Sequence, residues 1–454
     1  MAELKTPTEL GTERIGKLLV RYALPAITAM VASSLYNIVD RAFIGHGVDS
    51  LALSGLAVTF PLMNLSAALG SMVGVGSGTM ISLKLGQRDN KSALMLFGNS
   101  ITLNILIGVI FGALSLLFIN PILTLFGATE TTIGYARDYM VIILLGNAFT
   151  HLYLGINCII RSAGHPEKAM IATIGTVLLN TLLDYLFVMV FHWGIRGAAI
   201  ATVISQITAF VWQCIQLSDP NELIHLQRGT FRLKWDLVGN MLTIGLSPCI
   251  MNAASCIVVL IINRSLLAYG GDLAIGAYSI VNSIAFIFIM IVMGINQAMQ
   301  PIAGYNFGAR QFGRVMQVLK ISIFFATVIT TVGFLIGELM PNLCIRIFTN
   351  DTALTEIARN GMKKTFLVYP LIGFQMVTGN FFQSIGMPGK SILMSLSRQV
   401  LILIPCLLIL PGYLGIDGVW YSLPLSDAIS VILAAGLLIA QMRHFKNMSK
   451  QMPQ

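Results

Sequence analysis

Twelve long apolar stretches, parted by short polar ones, run the length of the chain. They cover approximately residues 15–45, 51–83, 92–117, 137–160, 168–191, 195–217, 237–268, 273–303, 317–340, 360–386, 390–411 and 415–441. About twenty apolar residues suffice to cross a hydrocarbon core of about 30 Å as one helix. The first, second, seventh and eighth stretches are longer, which implies tilt or extension beyond the bilayer. The pattern predicts an all-α membrane protein with twelve transmembrane helices.

Composition agrees: the chain is 56% hydrophobic and 10% charged, against about 25% charged in soluble domains. The net charge of +9 comes from Lys and Arg scattered between apolar runs. That is how topology determinants are placed, so no nucleic-acid partner is implied. The bilayer is the expected partner, and no signal peptide is expected ahead of the first stretch. The six cysteines lack metal-ligand spacing and read as small core residues, and the six histidines are dispersed, mostly at predicted span ends. No Walker loop or nucleophile–base pair is visible, so no enzyme activity and no cofactor are expected.

The basic residues set an orientation. Lys17 and Arg21, Lys84 to Lys91, Arg161 and Lys168, Arg228 to Lys234, Arg310 to Lys320, Lys390, and Arg443 to Lys450 all fall on one side if both termini are cytoplasmic. Arg359, Lys363 and Lys364 break the rule, with Glu338, Asp351 and Glu356 near them.

The chain also repeats. Lys84-Leu85-Gly86-Gln87-Arg88 aligns with Asn306-Phe307-Gly308-Ala309-Arg310, an offset of 222 between Gly86 and Gly308. Arg161 through Lys168 aligns with Gln383 through Lys390 at the same 222. Near the ends the offset slips by one, pairing Pro25 with Pro248 and Gly194 with Gly415. Two halves follow, 1–225 and 226–454, joined by the polar stretch Ser218 to Trp235. Six spans each is an even number, so the halves are parallel repeats, and two such bundles around a central cleft are a transporter architecture.

Polar side chains stand at matched depth in the first half. Asp184 lies near the far end of the span Met170 to Phe191, with Asn180 one turn before it on the same helix face. A buried acid there costs roughly 2.5–3.5 kcal/mol on insertion scales, so it should face protein or a wet cavity. Counting residues from the span ends places Asp40, Asp184 and Thr202 at one level, with Tyr139 slightly further out. Two carboxylates at one level in low dielectric cannot easily both stay ionised, so the pair can carry a proton. With an amide oxygen and a hydroxyl added, Asp40, Asp184, Asn180 and Thr202 can also hold Na⁺. The competing readings are a neutral Asp184 bonded to a neighbouring helix and a local pair of Asp40 with Arg41.

In the second half the counterpart of Asp184 is Cys406. Arg398 and Asp427 become level if spans eleven and twelve form a tight hairpin, and they read as a structural buried ion pair. Pro25 falls mid-span in the first helix and is expected to kink it; whether that kink is static or moves with Asp40 is open. Gly70, Gly74, Gly76 and Gly78 in span two are a close-packing signal.

Taken together, Tyr36-Asn37-Ile38-Val39-Asp40, Leu85-Gly86-Gln87, Arg161-Ser162-Ala163-Gly164 with Pro166, Asn180 through Asp184, and Gly194-Ile195-Arg196-Gly197-Ala198-Ala199 resemble the multidrug and toxic compound extrusion (MATE) family over essentially the whole chain. The resemblance implies a V-shaped pair of six-helix bundles and cation-coupled export of organic compounds. Asp40, Tyr139, Asn180, Asp184 and Thr202 match the coupling residues of its DinF-like branch. The mid-span acids of the NorM-like branch are missing from spans seven and ten. The expectation is a monomeric antiporter of a bacterial inner membrane that exports amphipathic, often cationic, compounds against H⁺ or Na⁺. A flippase for lipids or lipid-linked sugars is the alternative; the few cations within spans weigh against it. Substrate identity and the choice between H⁺ and Na⁺ are not legible.

Overall fold

The computed structural model describes residues 9–48, 50–220, 222–227 and 229–451; Arg228 and several side chains inside helices, including Tyr36, Asn37, Ile38 and Arg41, lie outside the described residues. Every apolar stretch falls on helix, as hydrocarbon demands of a backbone that cannot bond to water. We number the helical spans α1 (Ile15–Gly47), α2 (Ser50–Gly86), α3 (Asn90–Leu117), α4 (Ile133–Leu145 with Asn147–Ser162), α5 (Pro166–Val190), α6 (Gly194–Gln216), α7 and α8 (235–270 and 272–308), α9 (Phe312–Leu339), α10 (Thr352–Thr365 with Tyr369–Ser384), α11 (Pro388–Leu414) and α12 (Ile416–Gln451).

By length and composition alone, nine helices among the described residues could cross a membrane, or ten if the bent pair in α4 is one span. One of the nine is the 74-residue run Trp235–Gly308, broken by Gly271 at φ 67° and ψ −168°. That conformation is open to glycine almost alone. α10 fails the test because its first part is amphipathic; Asp351 caps it, accepting from Ala353 N at 2.8 Å.

Besides α10, broken by a 3₁₀ turn at Phe366–Val368, three spans predicted as continuous are not regular. α4 bends by 58° at Gly146, where Asn147 opens the second segment by donating to Gly108 O at 3.0 Å. α5 turns into a π-helix over Tyr185–Val190, directly after Asp184. α11 does the same over Ser397–Leu403, just ahead of Pro405, which cannot supply the next helical N–H.

The repeat extends to backbone conformation. Arg88 and Arg310, 222 residues apart, both lie at positive φ, 60° and 58°. Each ends its helix in the same way: Asp89 N reaches Lys84 O and Arg88 N reaches Leu85 O, while Gln311 N reaches Asn306 O and Arg310 N reaches Phe307 O. This is the Schellman pattern. Gly164 and Gly386 repeat it with glycine in the left-handed position.

The chain forms two compact units. One contains Thr28–Cys249; the other contains Glu13–Ile27 and the residues from Ile250 onward. Pro25 and Pro248, paired in the repeat, each lie within three residues of a change of unit. In the first unit the glycines of α2 set the helix spacing. Gly70 faces His151, Gly74 faces Gly155 and Gly78 faces Ser162, all on α4. Gly76, on another face, meets the carbonyl of Met241, and Gly245 meets that of Met72.

The polar segment between the halves is fastened to the first unit. Asn99 Nδ2 donates to Thr230 O and Arg232 O, each at 3.1 Å, and its oxygen accepts from Lys234 N at 2.7 Å. Glu222 accepts from His165 at 2.9 Å and pairs with Lys168 at 3.4 Å. In the second unit the two lysines near the end of the first part of α10 are answered locally: Lys364 pairs with Asp417, and Lys363 lies 4.0 Å from Glu338.

Two outcomes follow. Gly76→Leu and Gly245→Leu force side chains into backbone carbonyls, beyond the about 1–3 kcal/mol of ordinary overpacking. Each is expected to cut the monodisperse yield several-fold in size-exclusion chromatography. Gly175→Leu, with nothing within 4 Å of its added Cβ, leaves the yield unchanged. For Glu222, burial alone would raise the carboxyl above its ordinary 4.5, but His165 and Lys168 outweigh it and hold it lower. A lowered carboxylate contributes stability above its unfolded value and loses it as pH falls through the folded one. Amide-exchange protection of 217–226 is therefore expected to fall below about pH 4.5, and Glu222→Gln should lower it already at pH 7.

Candidate functional site

The first unit encloses a cavity of about 620 Å³, within the range of about 300–1,000 Å³ usual for small-molecule sites. Its apolar wall includes Leu56, Phe60, Met63, Met140 and Ile143. Asp40 from α1, Tyr139 from α4, Asn180 from α5 and Thr202 from α6 converge on it, so four of the five predicted side chains line one space. The fifth, Asp184, stands behind Asn180 and is 0% exposed.

Local sequence explains the convergence. Asn180 and Asp184 share a face of α5 as their spacing requires. The π-helix that starts at Tyr185 then shifts the phase of the following residues, so that Val188 is buried while Tyr185 and Val190 face outward. On α6, small residues at Gly197, Ala198, Ala199 and Ala201 let the helix approach closely, and Thr202 follows them at the cavity edge.

The hydrogen bonds form a chain from carboxylate to backbone. The hydrogen-bond network assigns the orientation of the Asn180 amide. With Nδ2 toward Asp184, it donates to Oδ2 at 2.8 Å while its oxygen accepts from Thr202 Oγ1 at 3.3 Å and Thr202 N at 3.0 Å. That arrangement fits an ionised Asp184. Thr202 Oγ1 also has Ala198 O, one turn back on its own helix, as an acceptor at 3.1 Å. Tyr139 is bonded to Thr202 and lies within electrostatic reach of both carboxylates; Asp40 and Asp184 are within reach of each other.

Asp184 has no cation partner among the described residues, and its Oδ1 is buried without a hydrogen bond. An ionised carboxylate in that position costs several kcal/mol unless something positive answers it. A proton or Na⁺ would serve; oxygens of Asp40, Asp184, Asn180 and Thr202 are the donors a hard cation prefers. Asp40 is buried, at 7% exposure, and the side chain of Arg41, its rival partner in the sequence reading, lies outside the described residues.

Sequence reasoning missed a second polar set on the same cavity. Ser66 on α2 bonds Asn147 Oδ1 and sits 3.1 Å from His151 Nε2. His151, inside the predicted span 137–160 and not singled out there, is fully buried where α4, bent at Gly146, packs on α2. The signal was present: Asn147 and His151 have the same i, i+4 spacing as Asn180 and Asp184.

In the second unit, Arg398 Nε donates to Asp427 Oδ1 at 2.6 Å, so the hairpin of α11 and α12 does bring the two level. Asp427 is buried, and Arg398 is partly so.

On the Thr202 hydroxyl and the Asn180 amide a measurement follows. A buried hydrogen bond lost with its partner left behind costs about 1–3 kcal/mol. Thr202→Val and Asn180→Leu are expected to fold normally and weaken coupling-cation affinity roughly 10- to 100-fold, read as a shift of the pH or Na⁺ dependence of uptake in proteoliposomes.

The MatE family pattern matches residues 25–186 and again 244–408, once in each half. The chain is 28% identical over 432 residues to the multidrug export protein MepA of Staphylococcus aureus strain NCTC 8325, and 27% identical over 427 residues to that of Staphylococcus saprophyticus, covering 94% of each chain in both comparisons. Among solved structures it is similar to the MATE multidrug transporter DinF-BH, solved in complex with a small molecule, at 37% identity and a TM-score of 0.87, over 95% of this chain and 96% of that one. A MATE structure in a bent conformation has the same fold at 22% identity, with a TM-score of 0.93 over 98% of this chain and 100% of that one.

Proposed function

Because the chain belongs to the MatE family of multidrug efflux transporters, we propose that it exchanges an organic compound for H⁺ or Na⁺ at the carboxylates of its first unit. The observation that carries this reading is Asp184: buried, without a cation, next to a cavity large enough for a drug-sized molecule. Asp40 and Asp184 bind the coupling cation. Asn180, Thr202 and Tyr139 orient them.

The chemistry of exchange follows from charge. With no ion bound, the cavity carries uncompensated negative charge and favours an organic cation. Loading a proton or Na⁺ removes that charge and the substrate's advantage with it. One site thus alternates between two occupants, and the ion gradient sets the direction. An apolar wall beside acids suits amphipathic cations, and the DinF-BH relative is itself a multidrug transporter solved with a small molecule bound.

Pro25 lies on the helix that carries Asp40. A helix that lacks one backbone bond bends easily, so loading at Asp40 can be relayed along α1. The basic residues support a plasma-membrane orientation, as of a bacterial inner membrane, with both termini cytoplasmic. The first unit holds both sites, so a monomer suffices. The Arg398–Asp427 pair acts as a structural tie between α11 and α12, and breaking one side of such a pair typically costs about 3–5 kcal/mol.

Asp184→Asn and Asp40→Asn are expected to keep the protein in the membrane at normal level and abolish gradient-driven efflux. Transport of a fluorescent organic cation in proteoliposomes, with pH and Na⁺ gradients imposed separately, decides both the residues and the ion. Normal efflux by both variants would remove the assignment.

A further inference from the structure

Each half presents the same positions to its own interior, yet fills them differently. Aligning Pro166 with Pro388 sets Arg398 opposite Thr176; aligning Gly194 with Gly415 sets Asp427 opposite Gln206. The second register is secure: Gly194-Ile195 and Gly197 align with Gly415-Ile416 and Gly418, and Ser205 aligns with Ser426. In the first unit Thr176 and Gln206 line the cavity. Both are neutral and satisfied there. Thr176 donates to Ala172 O at 2.7 Å, and Gln206 accepts from Thr150. The first unit therefore keeps an open space with its acids nearby.

The second unit puts an acid and a base into those positions. Arg398 is the only hydrogen-bond or ion-pair partner of Asp427 among the described residues. The positions equivalent to Asp40 and Asp184 hold Asn263 and Cys406, so Asp427 is left as the mid-span carboxylate of α12. The groups facing it can be named. Arg398 comes from α11, beside Gln399, which accepts from Ser255 of α7 at 3.0 Å. Tyr369 of α10 lies within electrostatic reach of both members of the pair; its hydroxyl is already committed to Ala285 O at 2.7 Å. The nearest further charge on α12 is Asp417, itself paired with Lys364. Lys390, at the other end, is bonded to Gln441.

A carboxylate at membrane depth must be answered by a proton, a metal cation or a fixed base. A guanidinium is a permanent cation that does not release its proton in proteins. It cannot leave on a transport cycle, because it is covalently held. We propose that Arg398 is a tethered counter-cation that permanently occupies the charge site of the second unit and so keeps Asp427 out of ion coupling. The number of ions exchanged per substrate is then set by the first unit alone. Arg398 is a positioning residue for the stoichiometry of the exchange. The inference deepens the coupling reading above and rests on it for its transport arm only.

The experiment counts ions. Purified protein in nanodiscs is titrated potentiometrically between pH 4.5 and 8, with and without Na⁺. Arg398→Gln is expected to take up one more proton, or one more Na⁺, per molecule than the unaltered chain. The double variant Arg398→Gln with Asp427→Asn is expected to lose that extra ion. An Arg398→Gln protein that is monodisperse and binds no extra ion overturns the proposal, as does an extra ion that survives Asp427→Asn. Should Arg398→Gln fail to fold, Asp427→Asn alone decides. Its ion-to-substrate ratio, taken from the reversal potential in proteoliposomes, is expected to equal that of the unaltered chain, and a fall by one ion overturns the inference. Asp184→Asn in the same titration tests the first unit separately: an unchanged ion count there defeats the coupling site and leaves the Arg398 result standing.

Discussion

A charge or an unbonded polar group inside hydrocarbon has to be answered by the protein itself, and this constraint orders the whole chain. It makes each apolar stretch of the described residues helical. It also explains the side chains. The hydroxyls of Ser77, Ser82, Thr176, Thr181, Ser205, Thr330 and Ser422 each donate to the carbonyl one turn earlier. Larger polar groups cannot satisfy themselves locally. Asn99 ties down the connecting segment, Asn147 reaches Gly108 on α3, and Asn180 reaches Thr202 on α6. Each long-range bond of this kind fixes one helix against another, in a setting where apolar contact with lipid would be nearly as favourable.

Close packing supplies the rest of the cohesion. Where helices of the first unit touch, glycine is what lets the backbones meet. The face Gly70, Gly74, Gly78 is a continuation of Ser66 at the same four-residue step, and it lies along His151, Gly155 and Ser162. The cavity begins where this face ends, near Ser66. Tight packing and open space therefore belong to successive stretches of α2, divided by the point at which small residues give way to Asn64, Met63 and Phe60.

Much of this was legible in the sequence because it depends on period and length. Apolar runs gave the spans; the repeat gave the register, down to the left-handed turns at Gly164 and Gly386. Depth counting, which rests on the fixed rise of a helix, grouped Asp40, Asp184, Thr202 and Tyr139; three of them, Asp40, Tyr139 and Thr202, line one cavity. The counting failed where the rise or the phase changes. Nothing in the composition of Tyr185–Val190 marks a π-helix, and the 58° bend at Gly146 looks like any mid-span glycine. His151 is buried where the bent α4 packs on α2. Pro405 and Pro370, which lack the N–H a regular helix needs, stand just after the irregular turns of α11 and α10, and the sequence reading passed over both. The positive-inside exception in the first part of α10 also has a physical account, because Lys363 and Lys364 are paired with acids.

The two halves began with one pattern and now answer the same electrostatic demand in two ways. In the first, Asp184 accepts from the Asn180 amide at 2.8 Å and has no cation partner among the described residues. In the second, a guanidinium and a carboxylate meet at 2.6 Å in the span pair α11 and α12. Separating them would leave two unpaired charges in place of a neutral pair, one buried and one partly so. Cys406 stands at the counterpart of Asp184; on the proposed reading, the exchange of charge is confined to the unit that also holds the cavity.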